Sequence, residues 1–188
     1  MPRLCLLALA LSAVQTGQLL TLEIRVFRGS EDVTGHSRVV VHRAGERGQP
    51  VGNLSGSTAS MKVAPGIYDA QALQEQDSRV VSIRWAERLV VMPYPDEDGH
   101  HLEVINVIPG YGALQIRTTA GTSPIDGVAL FPAKERDQPI AAAPSRGSNM
   151  LYVVRAGSYD VQVRRGSRTD WHTNLEVPLD RTRLWVVP

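Results

Sequence analysis

The chain repeats itself, and the repeat limits the fold more than any other feature of the sequence. Arg38 to Pro50, RVVVHRAGERGQP, lines up with Gly127 to Pro139, GVALFPAKERDQP, both carrying Glu-Arg followed by Gln-Pro. Val63 to Ala72, VAPGIYDAQA, lines up with Val154 to Val163, VRAGSYDVQV, sharing Gly-x-Tyr-Asp-x-Gln. Trp85 to Val91, WAERLVV, lines up with Trp171 to Val177, WHTNLEV. The offsets are 89, 91 and 86 residues, so only the loops differ in length. Leu22-Glu23-Ile24-Arg25 pairs further out with Leu114-Gln115-Ile116-Arg117, and His101 to Ile105 with Arg183 to Val187. Each copy is therefore roughly 80 to 90 residues long, and the join falls near Pro109-Gly110-Tyr111-Gly112. The expected division is residues 1–18, 19–109 and 110–188, either as two tandem domains or as one duplicated domain around a shared core.

Within each copy the patterning is that of strands. Leu22, Ile24 and Val26 alternate with Thr21, Glu23 and Arg25, the period of a half-buried strand. From Val81 the odd positions Val81, Ile83, Trp85, Leu89 and Val91 are apolar, which reads as one continuous strand with Trp85 on its buried side. Turn clusters such as Arg28-Gly29-Ser30 and Gly45-Glu46-Arg47-Gly48 punctuate these runs. Outside the N-terminus no window has a convincing helical period. Six or seven short strands per copy predict an all-β chain of two tandem β-sandwiches.

The segment Ala156-Gly157-Ser158-Tyr159-Asp160-Val161-Gln162-Val163, with Pro65-Gly66-Ile67-Tyr68-Asp69 as its counterpart, resembles the corner of prealbumin-like and carboxypeptidase-regulatory-like (Cna-B-like) sandwich modules of secreted bacterial proteins. Each copy resembles one such module over most of its length. The resemblance implies an immunoglobulin-like or prealbumin-like sandwich and is nearly silent on function, since these modules serve as stalks, spacers, accessory domains and binding platforms. Neither copy adjoins a recognisable catalytic domain. In such a corner the glycine permits a tight turn and the tyrosine spans it, ring buried and hydroxyl on a nearby backbone group. Tyr68 and Tyr159 are accordingly read as core residues.

Residues 1–18 carry a different pattern. Arg3 precedes an apolar run from Leu4 to Val14 and a small, polar exit, Gln15-Thr16-Gly17-Gln18, the three parts of a secretory signal peptide. Eleven helical residues span only about 16 Å, too short for a bilayer core of about 30 Å. Cleavage near Thr16 to Gln18 is expected, with a periplasmic or extracellular product and no membrane span in the mature chain. The single cysteine, Cys5, would leave with this segment, which excludes a disulfide framework, a thiolate zinc cluster and thiol catalysis in what remains. Its place at the start of the apolar run does not fit a lipoprotein.

Formal charge is +1 overall, but residues 19–109 hold nine Lys or Arg against twelve Asp or Glu, and residues 110–188 hold ten against seven. The basic residues lack interleaved exposed aromatics, so nucleic acid is not an expected partner. Arg164 and Arg165 are candidates for an anion- or polymer-binding surface. Asp96, Asp98, His100 and His101 form the densest polar cluster and are candidate metal ligands. The run lacks the ligand register of a calcium loop, so a solvated hairpin tip is the better reading and no metal site is assigned. No histidine falls in a zinc-hydrolase spacing and no G-x-S-x-G elbow is present, so no catalytic residue and no cofactor is assigned. Trp85, Trp171 and Trp185 are candidate binding residues for a glycan or protein surface. The phase of Trp85 and Trp171 favours burial between the sheets, whereas the alignment of Trp185 with Glu103 suggests an outer face. The expected function is an exported, non-catalytic binding, adaptor or structural module of the cell envelope, partnered by another envelope or secreted protein or a glycan. The alternatives are a hydrolase or metal-dependent enzyme with a loop-built His/carboxylate site, and a lectin-like module.

Overall fold

The computed structural model describes residues 18–57, 59–93, 99–118, 125–144 and 149–187, so the leader read at residues 1–18 lies, but for Gln18, outside the described residues. Strands β1 (Leu20–Arg28), β2 (Glu31–Asp32), β3 (Ser37–Arg43), β4 (Pro50–Ser55), β5 (Ser60–Val63), β6 (Gly66–Gln76), β7 (Arg79–Val91) and β8 (His100–Asn106) make the first half. Strands β9 (Tyr111–Thr118), β10 (Gly127–Pro132), β11 (Ala141–Pro144), β12 (Asn149–Arg155), β13 (Gly157–Arg165), β14 (Arg168–Val177) and β15 (Thr182–Val187) make the second. The chain is all-β: one 3-10 turn at Thr34–His36 is the only helical element among the described residues. No helix among them is long and apolar enough to cross a membrane.

In the first half β8 runs parallel to β1 along one edge, and β5 and β2 pair antiparallel with the other. The second sheet has the order β4-β3-β6-β7. In the second half β15 runs parallel to β9, β12 pairs with its other edge, and the facing sheet is β11-β10-β13-β14. Apart from β2 the two halves have one topology. Each is a sandwich because the apolar faces of its two sheets have only each other to cover them. Leu22, Ile24 and Val26 of β1 meet Val39, Val41, Tyr68, Ala70 and Ala72 in the first core. Leu114 and Ile116 meet Leu130, Val161 and Val163 in the second.

The apparent continuity of β7 is broken. Tyr68 pairs with Leu89 and Ala70 with Ala86, so Glu87 and Arg88 together oppose Asp69 in a β-bulge. Arg88 adopts a left-handed φ of 56° there. A bulge shifts the side-chain phase by one, so odd residues before it face outward and odd residues after it face inward. Ile83 is accordingly 57% exposed, while Leu89 and Val91 are buried. The second half repeats the device with Thr173 and Asn174 opposite Asp160, and Asn174 also has a φ of 56°.

The halves touch through the outer faces of their β1 and β9 sheets. Phe27, Val104 and Ala113 form a small buried apolar cluster there, with Leu151 and Val153 packed on it. Polar contacts add Arg84 Nη2 to Asp180 Oδ2 at 2.6 Å, the Val104 amide to Thr182 Oγ1 at 2.8 Å and the Arg181 guanidinium to the Glu87 carbonyl. At the join, Asn106 accepts from the Gly29 and Ile108 amides at 3.0 Å and donates to the Gly29 carbonyl at 2.7 Å. Gly112 admits close backbone approach: a Cβ built on it would stand 2.0 Å from the Pro178 carbonyl oxygen.

Candidate functional site

The blocks that repeat in the sequence converge in space on one latch per sandwich. Asp69 is 4% exposed, and its Oδ1 accepts the Arg88 amide at 2.9 Å while Oδ2 accepts the Gly45 amide at 3.2 Å. Arg47 Nε stands 3.7 Å from Oδ2, and the guanidinium lies over the Trp85 ring at 4.3 Å. Asp160 does the same, taking the Asn174 amide at 3.1 Å and Arg136 Nε at 2.9 Å, with Arg136 over Trp171 at 4.4 Å. One carboxylate thus ties the bulge to the turn after the third or tenth strand, and an arginine covers the tryptophan. Burial pushes both carboxyls upward in pKa, but the backbone N–H donors and the neighbouring arginine outweigh it and hold them below the ordinary aspartate value. The adjacent tyrosines turn their corners: the Tyr68 hydroxyl donates to Ala64 O at 2.6 Å and that of Tyr159 to Arg155 O at 2.5 Å.

This placement corrects the expectation for the tryptophans. Trp85 and Trp171 lie half-buried on the outer face of their sheets, paired with Gln71 and Gln162, because the bulge reverses the phase on which burial was read. His42 and Phe131 sit beside them, ring centroids 5.7 and 5.1 Å away. Trp185 is corrected in the opposite sense. It packs against the second core, edge-on to His172 at 4.8 Å, since the parallel register sets it beside Ile116 on the inner side. Arg164 and Arg165 point to opposite sides of β13. Arg164 is exposed, whereas Arg165 Nη1 reaches Asp170 at 3.5 Å, and Asp170 also takes Arg168 Nε at 2.8 Å.

Asp96 and Asp98 lie outside the described residues. His100 and His101 are in β8 rather than at a hairpin tip, and strand alternation sends them apart. His100 Nε2 is 2.8 Å from Glu23 Oε2, whose other oxygen takes Arg25 Nε at 2.7 Å. His101 Nε2 is 3.3 Å from Glu103 Oε1. Among the described residues no three His, Cys, Asp or Glu side chains stand close enough to hold a metal ion.

The histidines nevertheless border a cleft that the sequence did not indicate. It has a volume of about 220 Å3 and opens where the end of β7 and the start of β8 meet the second half. Arg88, His101 and Glu103 line it from the first half, and Gln115, Arg117 and Arg181 from the second. Arg117 Nη2 donates to the His100 carbonyl at 3.3 Å, and its Nε and Nη2 lie 3.2 Å from the Gln115 amide oxygen when that oxygen faces it. Arg88, His101, Glu103, Gln115 and Arg117 fall within repeat blocks, but the repeat did not point to the cleft, because the cleft exists only where the two copies meet.

No family model and no curated protein matches the chain. Among solved structures it is similar to the TIE protein of Bacillus anthracis (12% identity, TM-score 0.32), aligned over 90% of this chain and 33% of that one. It is also similar to the tip fimbrial protein Mfa3 from Porphyromonas gingivalis (9%, TM-score 0.34; 90% and 94% covered) and to a fimbrial protein from Bacteroides ovatus (7%, TM-score 0.35; 91% and 48%). The chain thus spans a third of the first of these and about half of the last. Likeness of this degree carries nothing about activity or partner.

Proposed function

We propose that the protein is an exported, non-catalytic tandem sandwich, residues 19–109 and 110–188, that serves as a rigid binding or structural module of the cell envelope or exterior. The observation that carries this reading is what the two copies have in common. Tyr68 and Tyr159, Asp69 and Asp160, Arg47 and Arg136, and Trp85 and Trp171 all hold strands and turns in place. Residues retained through a duplication are here retained for architecture. The strand orders β5-β1-β8 over β4-β3-β6-β7 and β12-β9-β15 over β11-β10-β13-β14 support the resemblance to prealbumin-like and carboxypeptidase-regulatory-like modules. Close packing at the join supports a unit that presents its surfaces in fixed relation.

Cell fractionation with N-terminal sequencing tests the export, and the expected product begins near Thr16 to Gln18. A full-length chain confined to the cytoplasm would overturn it. Turnover of any member of an ester, peptide and glycoside panel by the purified protein would overturn the non-catalytic reading. The partner, an envelope or secreted protein or a glycan, is sought by cross-linking in the exporting cell.

A further inference from the structure

The copies differ most tellingly at the mouth between the β7 and β8 edges and its counterpart between β14 and β15. In the second sandwich Trp185 and His172 fill this mouth edge to face, their rings 4.8 Å apart. In the first the corresponding positions are Glu103, beside Ile24 in the parallel register, and Ala86, opposite Ala70. A bulky aromatic pair is replaced by a carboxylate and a methyl group, and Glu103 lines the cleft of about 220 Å3. That is room for several waters or one compact organic molecule.

We propose that this cleft binds a small oxyanion, a carboxylate or phosphate, carried on a molecule that also bears hydroxyl donors. Three arginines from the two halves, Arg88, Arg117 and Arg181, border it against the single carboxylate of Glu103, so the lining favours an anion. Two of the guanidinium groups are fixed beforehand: Arg117 by the His100 carbonyl and Arg181 by the Glu87 and Asp180 carbonyls. Planar forks held in place suit an oxyanion and lose little freedom on binding it. Glu103 is 8% exposed and stands 3.3 Å from His101 Nε2, and its carboxylate can accept a hydrogen bond from a ligand hydroxyl. Gln115 and Thr182 add neutral polar edges to the same wall. The site is independent of export and of any macromolecular partner.

The test is calorimetric titration of the purified protein with D-glucuronate, inorganic phosphate and, as the neutral control, D-glucose. Saturable binding of glucuronate or phosphate is expected, with glucose silent; which anion binds distinguishes carboxylate from phosphate recognition. The double variant Ala86→His, Glu103→Trp rebuilds the plug of the second sandwich and should abolish binding. Arg88→Gln changes an exposed side chain that the fold does not use, and should weaken binding about tenfold, the effect of losing one charge-assisted hydrogen bond. The proposal is overturned if neither anion saturates below about 10 mM, a level weaker than any useful small-ligand site. It is equally overturned if glucose binds as well as the anions, or if binding survives both variants unchanged.

Discussion

Replacing Asp69 by alanine removes the acceptor for two backbone donors at once, and its cost can be worked from the latch geometry. The Arg88 and Gly45 amides donate to its two oxygens at 2.9 and 3.2 Å. A hydrogen bond to a charged group is worth about 1.5–3 kcal/mol net, and water can reach a turn and an edge bulge once the carboxylate is gone, so roughly half is recovered. The Arg47 contact at 3.7 Å comes from a side chain nearly half exposed and adds little. The expected loss is about 2–3 kcal/mol, which for a unit of this size lowers the midpoint by about 10–20 °C. Asp69→Asn keeps one carbonyl oxygen and should lose about half as much. The acid dependence follows from the sign of the shift. Because Asp69 is held below the ordinary aspartate value when folded, its contribution is complete above the unfolded carboxylate range and disappears as pH falls through the lower folded value. Thermal and urea unfolding of the three proteins between pH 7 and pH 2, followed by circular dichroism, measures both effects. An Asp69→Ala variant within about 0.5 kcal/mol of the parent, or an Asp69→Asn variant with the parent's full acid slope, would refute the latch.

Other consequences are accessible to the same methods. Gly112→Ala places a methyl against the Pro178 carbonyl, and overpacking at a fixed join should cost about 1–3 kcal/mol by urea denaturation. Arg47→Ala uncovers the Trp85 ring that its guanidinium overlies at 4.3 Å, so the emission should shift red and acrylamide quenching rise, with a stability loss of about 0.5–1 kcal/mol. Tyr152 has its hydroxyl on the Val128 carbonyl at 3.2 Å, and burial pushes its pKa up to about 12. The folded state therefore holds a proton that the unfolded state releases near pH 10, so stability should fall between about pH 10 and 12, and Tyr152→Phe should flatten that slope in alkaline unfolding.

What the sequence disclosed and what it hid divide along a physical line. The tyrosine corners and the Glu-Arg turns were visible because each motif is local in the chain and occurs twice. Strands were visible where one face is buried without interruption, as in β1, whose inward Leu22, Ile24 and Val26 are fully buried. Trp85 was placed on the wrong side because Arg88 is neither glycine nor asparagine, so nothing marked the left-handed residue at which the phase reverses. Asn174 at the equivalent place is a residue that tolerates this conformation, and weighing the two copies together would have revealed the bulge. Trp185 was misread for a related reason: alignment with Glu103 suggested a polar environment, whereas the two positions share an inward direction and differ in what fills it.

That difference bears on why the copies lie so closely joined. β7 is an edge strand, and an edge with free backbone groups invites pairing with other chains. Arg84 is bound to Asp180, and the Glu87 carbonyl is occupied by Arg181, so the second sandwich covers the later part of this edge. The earlier part, where Val80, Val81 and Ile83 are exposed, lies beyond those contacts and is irregular, since the register skips Val81 between Ser82 and Val80. A bulge there interrupts the flat ladder that a foreign strand would need. The same contacts bring Arg181 and Arg117 over the unplugged mouth of the first sandwich. Covering an edge and building a cleft are thus two results of one packing arrangement, and substitutions at Arg181 should affect both.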